Sequence, residues 1–258
     1  MNRCEQPKLS DFGLITQDPS VFYRSQWNKL PSCVFVIYRV ILALYLLGFY
    51  VAYLVQRIAG RGQSFVYLTN LAFTVFVVYL QIAGLVAVID GCILRKRNSP
   101  DMRIRHLIHW LFFNITVAIN VMVSIVYWAV LYSAGNGDWL YNFHVHTVTT
   151  IVSVADLLFT AVPVRLQHAV YPSGFLAAYM VVTLVYWGTG NGPVYPFLDY
   201  ADNPGVAAGA IVGITAMILV IQGASWAIYK LRVWIWLKCG NVATTPADQE
   251  QGTTEDDL

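Results

Sequence analysis

The sequence predicts an all-α integral membrane protein, a bundle of six transmembrane helices with both termini in the cytoplasm. Three observations predict it. Long apolar runs recur six times along the chain. Hydrophobic residues make up 57% of the composition and charged residues only 12%, against about a quarter charged in soluble domains. Finally, the lysines and arginines between the apolar runs fall almost entirely on alternate loops. The net charge of +2 is too small to point to nucleic acid as a partner. The partner this composition implies is the lipid bilayer.

The chain opens on an arm, residues 1–31, that is polar and mixed and has no cleavable signal peptide, so the first span reads as an uncleaved signal anchor. Phe22, Tyr23 and Trp27 in this arm suit the headgroup region, where aromatic rings sit comfortably. The spans run roughly from Ser32 to Gln56, Ser64 to Gly91, His106 to Ala134, Asn142 to Val164, Ser173 to Thr189 and Gly205 to Tyr229. Each is about 17–29 residues long, and about 20 helical residues cross a hydrocarbon core. Arg39 lies about two turns into the first span, and its stem is long enough to snorkel back to the surface. The loop from Leu94 to Arg105 carries Pro100 and clustered charge and reads as a turn. The loop from Gly188 to Pro204 is rich in Gly, Pro, Tyr and Asp, so it is expected to be irregular and folded over the outer face. The six spans occupy residues 32–229. Residues 230–240 continue as a basic, Trp-containing interfacial extension, with Trp234 and Trp236 among Lys230, Arg232 and Lys238. The tail, 241–258, is acidic and poor in apolar residues, a disordered composition. Its end, Glu255-Asp256-Asp257-Leu258, reads as solvated or as a ligand for a carboxylate-binding domain.

Sidedness follows from the loop cations, since orientation tracks Lys and Arg in short loops. With both termini inside, Arg3, Lys8, Arg24 and Lys29, the loop residues Arg95, Lys96, Arg97, Arg103 and Arg105, then Arg165 and the cations after Tyr229 are all cytoplasmic. Only Arg57 and Arg61 fall outside. Cys4, Cys33, Cys92 and Cys239 then all face the cytoplasm, where disulfides are rare. The last three are juxtamembrane, and read as ordinary boundary thiols or as palmitoylation sites. Plasma membrane and endoplasmic reticulum fit these span lengths equally well.

Polar residues inside a membrane cost energy, so they are where function is read. In the fourth span, His146, Thr149, Thr150, Ser153, Asp156 and Thr160 share one helical face, while His144 projects to the other side. Such a stripe lines a wet cavity or forms a hydrogen-bonded seam between helices. The second span adds Thr69, Asn70, Thr74, Gln81 and Asp90, and the third adds Asn114, Asn120 and Ser124. His144 and His146 point apart and make a poor metal site. No phosphate-binding loop, nucleophile elbow or zinc-protease helix motif is present, and the residues call for no metal or cofactor.

Several short motifs resemble the rolling stone family. They are Ser25-Gln26-Trp27 followed by Tyr38-Arg39, then Pro163-Val164-Arg165-Leu166-Gln167-His168 with Tyr171-Pro172, and Val194-Tyr195-Pro196-Phe197-Leu198-Asp199. The resemblance runs from the arm to the sixth span and implies a multi-pass membrane protein, in a family whose founding member is associated with myoblast fusion. A more distant likeness is to the androgen-induced proteins, membrane hydrolases that cleave fatty acid esters with a Thr and a His. Their Thr segment is similar to Tyr67-Leu68-Thr69, and their His segment to Val145-His146-Thr147-Val148, which lacks the second Thr of the pattern. An acidic residue ten positions after the His corresponds to Asp156.

This second likeness implies a lipid ester hydrolase with Thr69 as nucleophile and His146 as base. The topology agrees, because both residues lie about four or five residues inside the outer end of their spans and so share a depth in the outer or luminal leaflet. Asp156, about 15 Å further along its helix, is too far from His146 to touch it and is assigned a supporting or cavity-lining role. Asn70 or Tyr195 would stabilise the oxyanion. The competing class is a non-enzymatic membrane protein acting in cell–cell fusion or adhesion through protein partners that the sequence does not identify.

Overall fold

The computed structural model describes residues 12–27, 30–58, 65–94, 101–133 and 138–238. The acidic tail, Cys4, Cys239, Arg61, the cations at 95–97 and the first eleven residues of the arm lie outside them. The described residues form helices α1 (Ser32–Ile58), α2 (Leu68–Val88), α3 (Ile104–Val126), α4 (Trp139–Asn142), α5 (Thr149–Phe159), α6 (Val170–Gly188) and α7 (Pro204–Lys238). Three π-helical stretches prolong them. Ile89–Ile93 extends α2, Tyr127–Leu131 extends α3, and Phe143–Val148 joins α4 to α5 in one rod. The result is the predicted all-α bundle of six rods, and five of them are long and apolar enough to cross a membrane. The sixth is the α4–α5 rod, which carries the polar stripe and is divided by its π stretch.

Local chemistry accounts for the helix ends. Asp138 accepts from the backbone N–H of Leu140 at 3.0 Å and so caps α4. Pro204 starts α7, where a missing N–H costs nothing. Gly190, at φ 86°, turns the chain away from the end of α6. Helix α3 is the centre of the bundle, packed against α2, α5, α6 and α7. On one side of it the core gathers Phe73, Phe76, Tyr79, Trp110 and Phe113. On the other it gathers Ile119, Met122, Tyr179 and Ile218. Between α1 and α2, a Cβ added at Gly84 would sit 3.4 Å from the Ala43 side chain, a small-residue contact that lets two membrane helices approach closely.

Three expectations are corrected. The fourth span does not reach Val164: the helix stops at Phe159, Thr160 is extended, and 160–165 run as open chain. Pro163 disfavours helix at the residue before it, and the arm takes the helix's place. Ser25 Oγ and the Gln26 N–H both donate to the Phe159 carbonyl, at 2.9 and 3.0 Å, and Trp27 Nε1 donates to the Leu158 carbonyl at 3.0 Å. From the far end of the chain, Arg232 donates to the carbonyls of Leu157 and Val162. Second, Phe22 is not at a headgroup surface but fully buried, stacked on His106 with Trp110 edge-on. Third, Arg39 does not snorkel. It is 1% exposed and pairs with Asp156 at 2.6 Å, because a partner inside the bundle costs less than stretching to reach water.

Candidate active site

At the end of the bundle where α2 begins, a cleft of ≈ 430 Å³ opens between the start of α2, the end of α3, the α4–α5 rod and the loop after α6. Thr69, Asn70, His146 and Tyr195, four of the five residues singled out in the sequence, all line it. They come from α2, the π stretch of the α4–α5 rod and the 3-10 loop before α7.

Thr69 occupies the first turn of α2 and is half-buried. Helix starts carry unpaired N–H groups, and here tyrosines take them. The Leu68 N–H donates to Tyr179 Oη at 3.1 Å and to Tyr195 Oη at 3.0 Å. Tyr195 therefore lies across the helix start, its hydroxyl beside the Thr69 hydroxyl and N–H. Burial pushes that hydroxyl above its ordinary ionisation range, so it stays protonated. Asn70 is buried, and its side-chain oxygen accepts from the Tyr141 hydroxyl.

His146 sits in the π-helical turn of the α4–α5 rod, and π turns recur at functional sites. The extra residue in that turn disturbs the regular ladder, and the His146 carbonyl accepts hydroxyls from Ser124 and, at 2.9 Å, from Thr150. The ring lies flat on Tyr127, with centroids 3.5 Å apart and planes 6° from parallel. Tyr127 itself begins the π turn that ends α3. Two π turns thus face each other across this ring pair. Nδ1 is buried and has no partner, so Nε2 is the nitrogen that can open on the cleft. Thr69 and His146 both line the cleft, and no direct hydrogen bond joins them.

Asp156 does not reach the cleft. It is fully buried and accepts from Tyr38 Oη at 2.8 Å, from Tyr79 Oη at 2.7 Å and from Arg39. The stripe therefore divides by depth. Its upper end, His146, faces the cleft. Lower down, Asn120 Nδ2 donates to Ser153 Oγ at 2.9 Å, and Thr150 also donates to the Asn120 carbonyl at 3.0 Å, a seam to α3. His144 is on the far side, its ring stacked on Phe49 and its Nε2 2.7 Å from Tyr45 Oη.

Sequence reading missed Tyr127 and Tyr141, which help wall the cleft, and named Tyr67 only as part of the Thr69 segment. Aromatic rings near a span end read as interfacial anchors, and no local signal distinguishes a ring that turns inward. Among the described residues no group of three or more His, Cys, Asp or Glu side chains is arranged to hold a metal ion.

Comparison with known proteins gives a consistent picture. A family model described as Protein rolling stone matches residues 4–247. Protein rolling stone of Drosophila melanogaster is 28% identical over 241 residues, covering 86% of this chain and 87% of its own length. No solved structure matches. The family motifs fall at the arm–α5 clamp, the Arg39–Asp156 pair and the cleft loop, and the match spans nearly the whole chain: the protein is a multi-pass membrane protein and belongs to the rolling stone family.

Proposed function

We propose that the protein is a lipid ester hydrolase whose site lies in the outer or luminal leaflet. The observation that carries this reading is the convergence of Thr69, His146, Asn70 and Tyr195, from three distant parts of the chain, on one cleft. The likeness of the Tyr67-Leu68-Thr69 and Val145-His146-Thr147-Val148 segments to the androgen-induced hydrolases, with Val148 in place of the pattern's second Thr, first singled out Thr69 and His146 and agrees with it.

The chemistry is acyl transfer. Thr69 Oγ attacks the ester carbonyl while His146 Nε2 takes its proton. The tetrahedral oxyanion is met by donors from Tyr195 or Asn70. Collapse breaks the bond to the alcohol oxygen, which receives the proton from His146, and leaves an acyl–Thr69 ester. A water, deprotonated by His146, then attacks that ester, releases the carboxylic acid and restores the Thr69 hydroxyl.

Labelling of the detergent-solubilised protein by a fluorophosphonate probe tests the reading. Wild type should label, and Thr69→Ala and His146→Ala should lose labelling while keeping the wild-type unfolding temperature. Folded wild type that does not label would leave the non-enzymatic fusion or adhesion class, in which both substitutions are silent.

A further inference from the structure

Thr69 lines two adjoining cavities that differ in polarity. Toward the end of the bundle the cleft is walled by Tyr67, Asn70, Tyr141 and Asn142, and among the described residues no Asp, Glu, Lys or Arg lines it. In the other direction a narrow apolar pocket of ≈ 30 Å³ shares Thr69, Tyr127, Leu131 and Tyr195 with the cleft. That neck in turn shares Val126, Phe197 and Ile214 with an apolar groove of ≈ 320 Å³. The groove lies against Ala210, Gly213 and Met217 of α7, and exposed Val130 and Gly213 border it. On helices that cross a bilayer, such a surface faces lipid.

From this we infer that the substrate is an ester of one long acyl chain with a neutral, hydroxyl-rich alcohol. The acyl chain lies in the passage from Thr69 to the groove between α3 and α7, and the alcohol occupies the polar cleft. The inference rests on the hydrolase reading and names the substrate of that site. An ester whose carbonyl sits at Thr69 must send one half each way. Hydroxyl groups in the apolar pocket would lose their hydrogen bonds, and a phosphate in the cleft would meet no cation among the described lining residues, so both arrangements are disfavoured. At ≈ 30 Å³ the neck exceeds the ~10–15 Å³ that one water needs, and an acyl chain would have to widen it. Met122 and Met180 in its wall can repack around such a chain. Lipid tails are as apolar as the groove, so the passage orients the ester and the polar cleft selects it.

The test is photo-crosslinking of the full chain in nanodiscs with a monoacylglycerol carrying a diazirine at the far end of its chain. Adducts are expected on peptides spanning Val126–Val130 or Ala210–Met217. Gly213→Trp should lower them about tenfold, since the indole would occupy the groove in place of the chain. A Cβ at Gly213 meets nothing within 4 Å, so the variant should fold, and Ala210→Phe is a second block on the same groove. Thr69→Ala should keep the adducts. Unlabelled monoacylglycerol should compete, and a lysophosphatidic acid of equal chain length should not. Adducts on Tyr67 or Tyr141 peptides, indifference to both blocks, or equal competition by the charged lipid overturns the inference. Adducts as expected on a protein that never labels at Thr69 instead overturn the hydrolase reading and leave a binding passage.

Discussion

Asp156 is the residue on which most of the buried polar structure converges. Its carboxylate holds Arg39, Tyr38 and Tyr79 from two other helices, and the ion pair is completely shielded from solvent. Removing one partner of such a pair strands the other, which costs about 3–5 kcal/mol. Asp156→Asn should therefore lower the unfolding temperature in detergent strongly. The double change Arg39→Met with Asp156→Leu should be milder than Asp156→Asn alone, a comparison that a purely additive loss would contradict. At the cleft, Tyr195→Phe removes a hydroxyl that accepts from the Leu68 N–H beside Thr69. Turnover of an ester substrate should fall by about 10²-fold if that hydroxyl meets the oxyanion, and a fall confined to KM would assign it to binding instead.

At the scale of elements, the C-terminus of α5 is held by side chains from both ends of the sequence. Ser25, Trp27 and Arg232 satisfy the carbonyls of Leu157 to Phe159, and Arg232 also holds Val162. Unpaired buried carbonyls cost about 1–3 kcal/mol each. Arg232→Met should thus accelerate amide hydrogen exchange across residues 157–164 while leaving α2 and α3 protected. Uniform acceleration would mean the clamp stabilises the whole bundle instead of this one helix end. The same clamp explains why the Ser25-Gln26-Trp27 and Pro163-Val164-Arg165 motifs share a place in the fold. Arg165 donates to the Gly13 and Ile15 carbonyls and stacks over Trp110, whose Nε1 donates to the Pro163 carbonyl at 2.9 Å.

At the scale of the molecule, the two ends of the bundle differ. Thr69 starts α2 and Cys92 lies in the π turn that ends it, about 35 Å away at 1.5 Å per residue, roughly the thickness of a bilayer core. Cys33 and Cys92 are both exposed, and a Cβ added at Gly91 would sit 3.5 Å from the Val36 side chain, so the two thiols share one end. With the termini cytoplasmic, a membrane-impermeant maleimide should label both only after the cytoplasmic face is opened. Labelling from the outside in intact cells would invert the topology and put the cleft in the inner leaflet.

The sequence alone determined the class of the molecule, the number of rods and the face of the α4–α5 rod that turns inward. These are legible because a bilayer demands long apolar runs and because buried polar positions repeat with the helical period. Thr69 and His146 were brought together by the likeness of their segments to another family, the span ends gave them one depth, and the structure places both on one cleft. Tertiary structure decided the rest. Arg39 and Asp156 are 117 positions apart, and spacing within one helix says nothing about a partner on another. The π turns at Tyr127 and His146 depend on hydroxyls and rings that α3 and the α4–α5 rod lend each other. The end of the fourth span was set by the arm that competes for its carbonyls. A local pattern fixes which side of a helix avoids lipid, but only packing chooses what that side meets.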